Sequence, residues 1–477
     1  MSTTAKTNGI KPTNGITPAP VAKPNPNANL TLDEWIKWQE KKSWSGLLAN
    51  IHPEGTVEGC VVASPSKVLP DYWYQWTRDS ALVMRTVVDA FIKGEKSYRH
   101  LIDEYISATQ IMQHKETPIG GFSTGGLGEV KFHVDNEPFT GEWSRPQNDG
   151  PASRVITLTK FAHYLLDNGT PAEKEFVETT LYDSKETTDS IIKGDLEHIA
   201  KDWSVAGFDL WEEVSGSHFY TLLSIYTGLL SGASLASRLS DPSSATKYLA
   251  TASQIKPLIT RFWSPEKSII RVTMNPSVGR KSVENAHVGD PWYGKTSELD
   301  SAVLLATLHA GGRDCYEKDK VYGQDQVLST LEALMNAMRD TYPLNKKRAI
   351  PALGRYPEDM YDGTGLSLAH PWFLCTCSAA EVLYLNARTL SSDSTPLIIT
   401  KSSLSHYSRW VPGAKVGTKI EAGSEEMKKI VEGQRELADG FIGVVREYAG
   451  AEGNLPEQFD RWSYAAFITA VQARRGD

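Results

Sequence analysis

Residues 208–219 read Phe-Asp-Leu-Trp-Glu-Glu-Val-Ser-Gly-Ser-His-Phe. Two adjacent carboxylates, Glu212 and Glu213, follow Trp211 directly. An acid set against an aromatic ring loses water, which disfavours its charged form, and a like-charged neighbour acts in the same direction. A carboxyl group held protonated near neutrality is what a general acid requires. Far downstream a lone acid, Glu457, stands in Leu-Pro-Glu-Gln-Phe ahead of an expected helix. Two carboxylates in aromatic surroundings suit cleavage of a glycosidic bond. The plainer function of Glu212 and Glu213 is to place negative charge at a helix N-terminus. Ser217 is expected to cap the long apolar helix that follows.

Further clusters of Trp, Arg and acid recur along the chain. They are Asp71-Tyr-Trp-Tyr-Gln-Trp-Thr-Arg-Asp79, Trp143-Ser-Arg-Pro-Gln-Asn-Asp-Gly-Pro151, Arg355-Tyr-Pro-Glu-Asp359, His370-Pro-Trp372 and Glu457-Gln-Phe-Asp460. Asp149 is the expected cap of its helix, with Pro151 in the first turn. Singly, each Asp or Ser in these clusters reads as an N-cap. Their distribution over the helices gives them a different weight.

No run of short alternating strands is visible, and long periodicities of helical spacing fill the chain. Amphipathic stretches at 32–50, 96–115, 184–203, 241–264, 322–342 and 423–449 alternate with stretches apolar nearly all round at 80–93, 150–167, 217–239, 296–310, 371–389 and 461–473. Helices wetted on one face belong outside, and helices apolar all round belong inside. Six outer and six inner helices in strict alternation close into an all-α (α/α)6 double-ringed barrel. All inner helices then run the same way, and the motifs before five of their N-termini converge on one mouth.

Composition narrows the function. The chain has 477 residues and a net charge of −8, which disfavours nucleic acid and anionic membrane as partners. No apolar run is read as long enough to span a bilayer. Thirteen Trp and nineteen Tyr supply flat rings able to stack on sugar faces. Four cysteines do not make a disulfide framework, and Cys375 and Cys377, two apart on a helix, point to different sides. No His set has metal-ligand spacing, and Gly125-Gly-Leu-Gly128 neither follows a strand nor opens a βαβ unit. Residues 1–31 read as a disordered arm without the apolar centre of a signal peptide, and 32–477 as one catalytic domain. Taken literally, that places the chain in the cytosol.

The blocks Trp76-Thr-Arg-Asp79, Arg145-Pro-Gln-Asn-Asp-Gly-Pro151, Leu210-Trp-Glu-Glu213, Gly354-Arg-Tyr-Pro-Glu-Asp359 and Pro371-Trp-Phe-Leu-Cys375 resemble the fungal glucoamylases of glycoside hydrolase family fifteen. The resemblance runs from about residue 32 to the C-terminus. It implies an (α/α)6 barrel and an inverting exo-hydrolase that needs no metal or organic cofactor. The implied product is β-D-glucose from the non-reducing ends of α-glucans (starch, maltodextrins, maltose). Glu212 matches the general acid and Glu457 the general base, carboxyls expected roughly 6.5–9.5 Å apart. Arg78, Asp79, Arg355 and Asp359 match residues that grip the terminal glucose. Tyr72, Trp76, Trp143, Trp211 and Trp372 match pocket walls, and Glu213 a partner for the next glucose. The resemblance further implies secretion and a monomer.

Three features depart from the family pattern. The segment from Glu457 to Trp462 is shorter, which allows the alternative of a disabled sugar-binding relative. Ser144 stands where glycine is usual, and Ala369-His370 where Gly-Asn is usual; both add bulk near the mouth. No signal peptide is visible, although relatives of this kind are normally secreted. No starch-binding module follows residue 477, so soluble dextrins are the expected substrates rather than raw granules.

Overall fold

The computed structural model describes residues 29–68, 70–185, 190–277, 295–311, 321–363, 365–367, 369–459 and 465–476. Twelve helices in these segments build the barrel. The outer helices are α1 (Leu32–Leu48), α3 (Arg99–Gln113), α5 (Ile191–Asp202), α7 (Pro242–Thr260), α9 (Gln324–Thr341) and α11 (Glu425–Tyr448). The inner ones are α2 (Thr77–Lys93), α4 (Asp149–Asn168), α6 (Phe219–Arg238), α8 (Ala302–Ala306, continued by a π turn at Thr307–Gly311), α10 (Phe373–Ser392) and α12 (Ala465–Arg475). Each inner helix packs on the next and α12 returns to α2, so the inner ring closes.

Sequence explains the two layers. In α11 the buried positions Met427, Ile430, Val431, Gln434, Ala438, Phe441, Ile442 and Val445 recur every three or four residues, the single stripe of a helix with one wet face. In α6 the buried set includes Phe219, Tyr220, Leu222, Leu223, Ile225, Leu229, Ala233 and Leu235, spread round the whole circumference. This corrects the sequence-based premise that no apolar run reaches bilayer length, because α6 is long and apolar enough by composition. Packing within the ring accounts for that apolarity, since most of the helix is buried.

Three outer helices start on side-chain caps: Thr31 with Glu34 in a capping box, Asp241 on the Ser244 N–H, and Ser424 on the Met427 N–H. Four inner helices start on Trp76, Asn148, His218 and Trp372, and none of these side chains caps its helix. Two expected caps are thereby corrected. Ser217 lies in strand β2 (Ser215–His218), pairing with β1 (Gly207–Phe208) and β3 (Thr273–Ser277). Asp149 is already the first residue of α4, and its carboxylate accepts from Arg78 instead. Trp76 and Asp149 instead bond to groups of other inner-helix motifs, Glu212 and Arg78.

Candidate active site

The Glu212 turn is built first by backbone. The Glu212 N–H donates to the Asp209 carbonyl at 2.9 Å, and the Asp209 carboxylate accepts from the N–H groups of Glu213 (2.8 Å) and Val214 (3.0 Å). Glu212 is left at φ +66°, the left-handed region that a side chain with a Cβ occupies at a cost of roughly 1–2 kcal/mol. A buried ammonium holds the turn from below: Lys295 Nζ lies 2.9 Å from Asp209 and 2.6 Å from Asp300. Asp300 in turn accepts from Trp211 Nε1 at 2.9 Å and from the Ala302 N–H at the start of α8. Lys295 and His218 hold the Asp209 carboxyl down at about 2 despite its burial.

The Glu212 carboxyl faces three N–H donors. Trp76 Nε1 (2.8 Å) and Gln147 Nε2 (3.1 Å) reach Oε1, and Trp143 Nε1 (2.9 Å) reaches Oε2. Removal from water raises its pKa above the usual glutamate range, while Arg78 and the three donors act against that rise. Glu213 is bound differently. Arg355 Nη2 lies 2.8 Å from one oxygen and the Tyr356 hydroxyl donates to the other at 2.7 Å. Burial pushes Glu213 up to about 7, against the fields of Arg355 and Lys295. Both residues are half-buried overall, and they differ in their partners: Glu213 meets a guanidinium, Glu212 only neutral N–H donors.

Arg78 donates to Gln147 (2.7 Å) and Asp149 (3.1 Å) and lies 3.6 Å from Asp79. The Asp79 side chain is 45% exposed overall, with one oxygen, Oδ2, sealed and lacking a hydrogen-bond partner. Arg355 directs Nε and Nη2 onto the two oxygens of Asp359, at 2.8 and 2.6 Å. Its guanidinium carbon also sits 5.4 Å from the Trp211 ring centre and 5.1 Å from that of Trp372. Arg78 thus meets protein acceptors through Nη1, and Arg355 through Nε and Nη2.

The Tyr72 hydroxyl lies 3.3 and 3.4 Å from the two oxygens of Glu457 and 2.7 Å from the Tyr361 hydroxyl. The Glu457 backbone is tied to the start of α10. Its carbonyl accepts from the Phe373 N–H at 3.3 Å, and Phe459 N–H donates to Pro371 at 2.9 Å. The shortened connection after Glu457 falls on residues 460–464, which lie outside the described residues, as do residues 1–28 of the expected arm.

The twelve residues expected at the site lie in one network of contacts. Tyr72 meets Trp76 edge-on at 6.0 Å, Trp76 meets Trp143 at 6.1 Å, and Trp211 meets Trp372 at 5.4 Å. Trp143 is 38% exposed and stands on the rim, whereas Trp76 and Trp372 are buried in the wall. Sequence reasoning missed Gln147, although it lies inside a quoted motif. It missed Tyr361 and the Asp209–Lys295–Asp300 set, whose members are far apart in the chain. It also missed Lys131, which pairs with Trp76 in a two-strand ladder and places Nζ 3.7 Å from the Trp143 ring centre and 3.9 Å from that of Tyr74. Burial lowers the Lys131 ammonium to about 8.

A family model described as "Glycosyl hydrolases family 15" matches residues 41–472. Glucoamylase-1 of Schizophyllum commune is 34% identical over 466 residues, covering 93% of this chain and 74% of that protein. A probable glucoamylase of Schizosaccharomyces pombe is 32% identical over 461 residues, covering 93% of this chain and 92% of that protein. Among solved structures, the family 15 glucoamylase from Hypocrea jecorina superposes with a TM-score of 0.82 at 32% identity, covering 94% of this chain and 73% of that one.

Proposed function

Because this chain belongs to glycosyl hydrolase family 15, with glucoamylases as its relatives, we propose that it is a glucan 1,4-α-glucosidase acting by inversion at non-reducing chain ends. Its substrates are soluble starch, dextrins and maltooligosaccharides, with α-1,6 linkages cleaved more slowly. Domain 32–477 carries the activity as a monomer. The observation that carries the reading is that one aromatic cluster joins two carboxyls: Trp76 donates to Glu212, which has two further N–H donors, and meets Tyr72, whose hydroxyl lies against Glu457.

In the proposed mechanism Glu212 protonates the glycosidic oxygen as the bond breaks, while Glu457 takes a proton from water attacking the opposite face of the sugar. The donors on Glu212 fix its direction, and they stabilise the carboxylate that remains once the proton has left. Asp79, with oxygen surface facing the recess, accepts hydroxyls of the terminal glucose. Arg78 orients Asp79, and the aromatic wall packs against the ring. Glu213 with Arg355 flanks the next glucose.

A proton NMR time course with maltotriose tests this reading. β-Glucose is expected first, and early α-glucose would remove inversion. Tight maltotriose binding without any glucose would instead identify a disabled barrel. A second expectation concerns pH. The acid must be protonated to act, and burial raises the pKa of Glu212, so activity is present below that raised value and lost as pH climbs through it. The basic limb of kcat is therefore expected above the ordinary glutamate range, read from initial glucose release between about pH 3 and 8.

A further inference from the structure

Ser144 was expected only to add bulk near the mouth. Instead its hydroxyl donates to the backbone carbonyl of Glu212 at 2.5 Å. That carbonyl belongs to the residue held at φ +66°, so the bond falls on the strained peptide of the turn. Other contacts of the same segment reinforce it. Gln147 Nε2 donates both to the Ser144 carbonyl (3.0 Å) and to Glu212 Oε1 (3.1 Å), and Trp143 Nε1 donates to Oε2. The segment is itself anchored. Arg145 Nε lies 2.7 and 2.9 Å from the two oxygens of buried Glu129, and its Nη atoms donate to the carbonyls of Gly141 and Phe139. Asp209 and Lys295 hold the turn from beneath, and Ser144 closes it from above.

We propose that Ser144 is a positioning residue for the reaction, acting through the main chain of Glu212 to keep its carboxyl beneath the Trp76, Trp143 and Gln147 donors. The proposal rests on the reading of Glu212 as the general acid. A left-handed glutamate has a nearby extended alternative, and rotation of its peptide swings the carboxyl away from all three donors. The hydroxyl opposes that rotation because its bond to the carbonyl is lost as the peptide turns. A modest displacement of a catalytic group lowers rate more than affinity.

The test compares Ser144→Ala and Ser144→Thr with the unaltered chain on maltose. The Ala variant is expected to lose about three- to tenfold in kcat, the effect of one hydrogen bond, with KM within about twofold. Its basic pH limb should move upward, because the donors that favour the charged carboxyl are loosened. The other charges whose fields reach Glu212, those of Arg78 and Lys131, are left in place. The Thr variant keeps a hydroxyl and should recover most of the rate. An Ala variant with unchanged kcat overturns the proposal. So does one whose kcat falls with its basic limb unmoved, since that reports a smaller active fraction. If the unaltered chain releases no glucose, the functional reading fails and the proposal fails with it; turnover by the unaltered chain separates the two cases.

Discussion

Replacing Glu212 by Gln is expected to abolish glucose release while oligosaccharide affinity stays within a few-fold of the unaltered chain. The argument turns on what the amide can and cannot replace. Glutamine has nearly the same shape, and its carbonyl still accepts from Trp76 Nε1 and Gln147 Nε2, the two donors that meet Oε1. Its amide nitrogen, however, brings a donor towards Trp143 Nε1, which needs an acceptor. Trp143 is 38% exposed on the rim, so water can satisfy that N–H and the cost to the pocket is small. The proton cannot be replaced. Loss of general acid catalysis removes about 10²–10⁴-fold in rate, and an unactivated glycosidic leaving group places the effect at the upper end. Initial rates on maltotriose together with calorimetric binding separate the two quantities. Turnover within tenfold of the unaltered chain would transfer the acid role to Glu213, which burial holds at about 7. Against that transfer stands the Arg355 guanidinium, which lies 2.8 Å from one Glu213 oxygen and favours its charged form.

The distinction between Glu212 and Glu213 shows what sequence could and could not supply. The acid pair was legible from the motif, and so was its aromatic setting, since Trp76 and Trp143 both donate to Glu212. The different partners of the two acids were not legible, because Arg355 lies 142 positions beyond Glu213 and Gln147 lies 65 before Glu212. The fold was easier to read. Inner and outer helices differ in how far round their circumference apolar residues extend, and that difference is local to each segment. Helix starts were read less well, since Ser and Asp signal caps wherever they occur. Ser217 belongs to a strand and Asp149 turns towards Arg78, because pairing across the mouth outweighs local capping. The fourth inner helix shows the same competition. It begins at Ala302 rather than near 296, because Ser297 and Thr296 are bonded to Glu358 in the loop that carries Arg355 and Asp359. Lys295 gave no signal at all: a lone lysine in a loop acquires meaning only when Asp209 and Asp300 fold around it.

The second large effect is expected at Glu457. Glu457→Ala should reduce kcat by about 10²–10⁴-fold, the usual contribution of a general base, with a small change in KM. The structure separates this substitution from a folding defect. The Glu457 carbonyl meets the Phe373 N–H through the main chain, and Phe459 packs on Phe373 with ring centres 4.7 Å apart, so the alanine variant retains what anchors the segment to α10. The carboxylate that accepts from the Tyr72 hydroxyl is lost, and Tyr72 and Tyr361 can still bond to each other. In the proposed mechanism the base works on the face opposite the acid, so a small anionic nucleophile in the vacated space would take the place of base and water together. Azide added to the variant is expected to restore turnover and to yield the β-glucosyl azide, formed by direct displacement at the anomeric carbon of an α-linked substrate. Rescue with the α-azide, or an alanine variant as fast as the unaltered chain, would show that the attacking water is activated elsewhere. The β product would fix the side of attack, and with it inversion, independently of the anomer released by the unaltered enzyme.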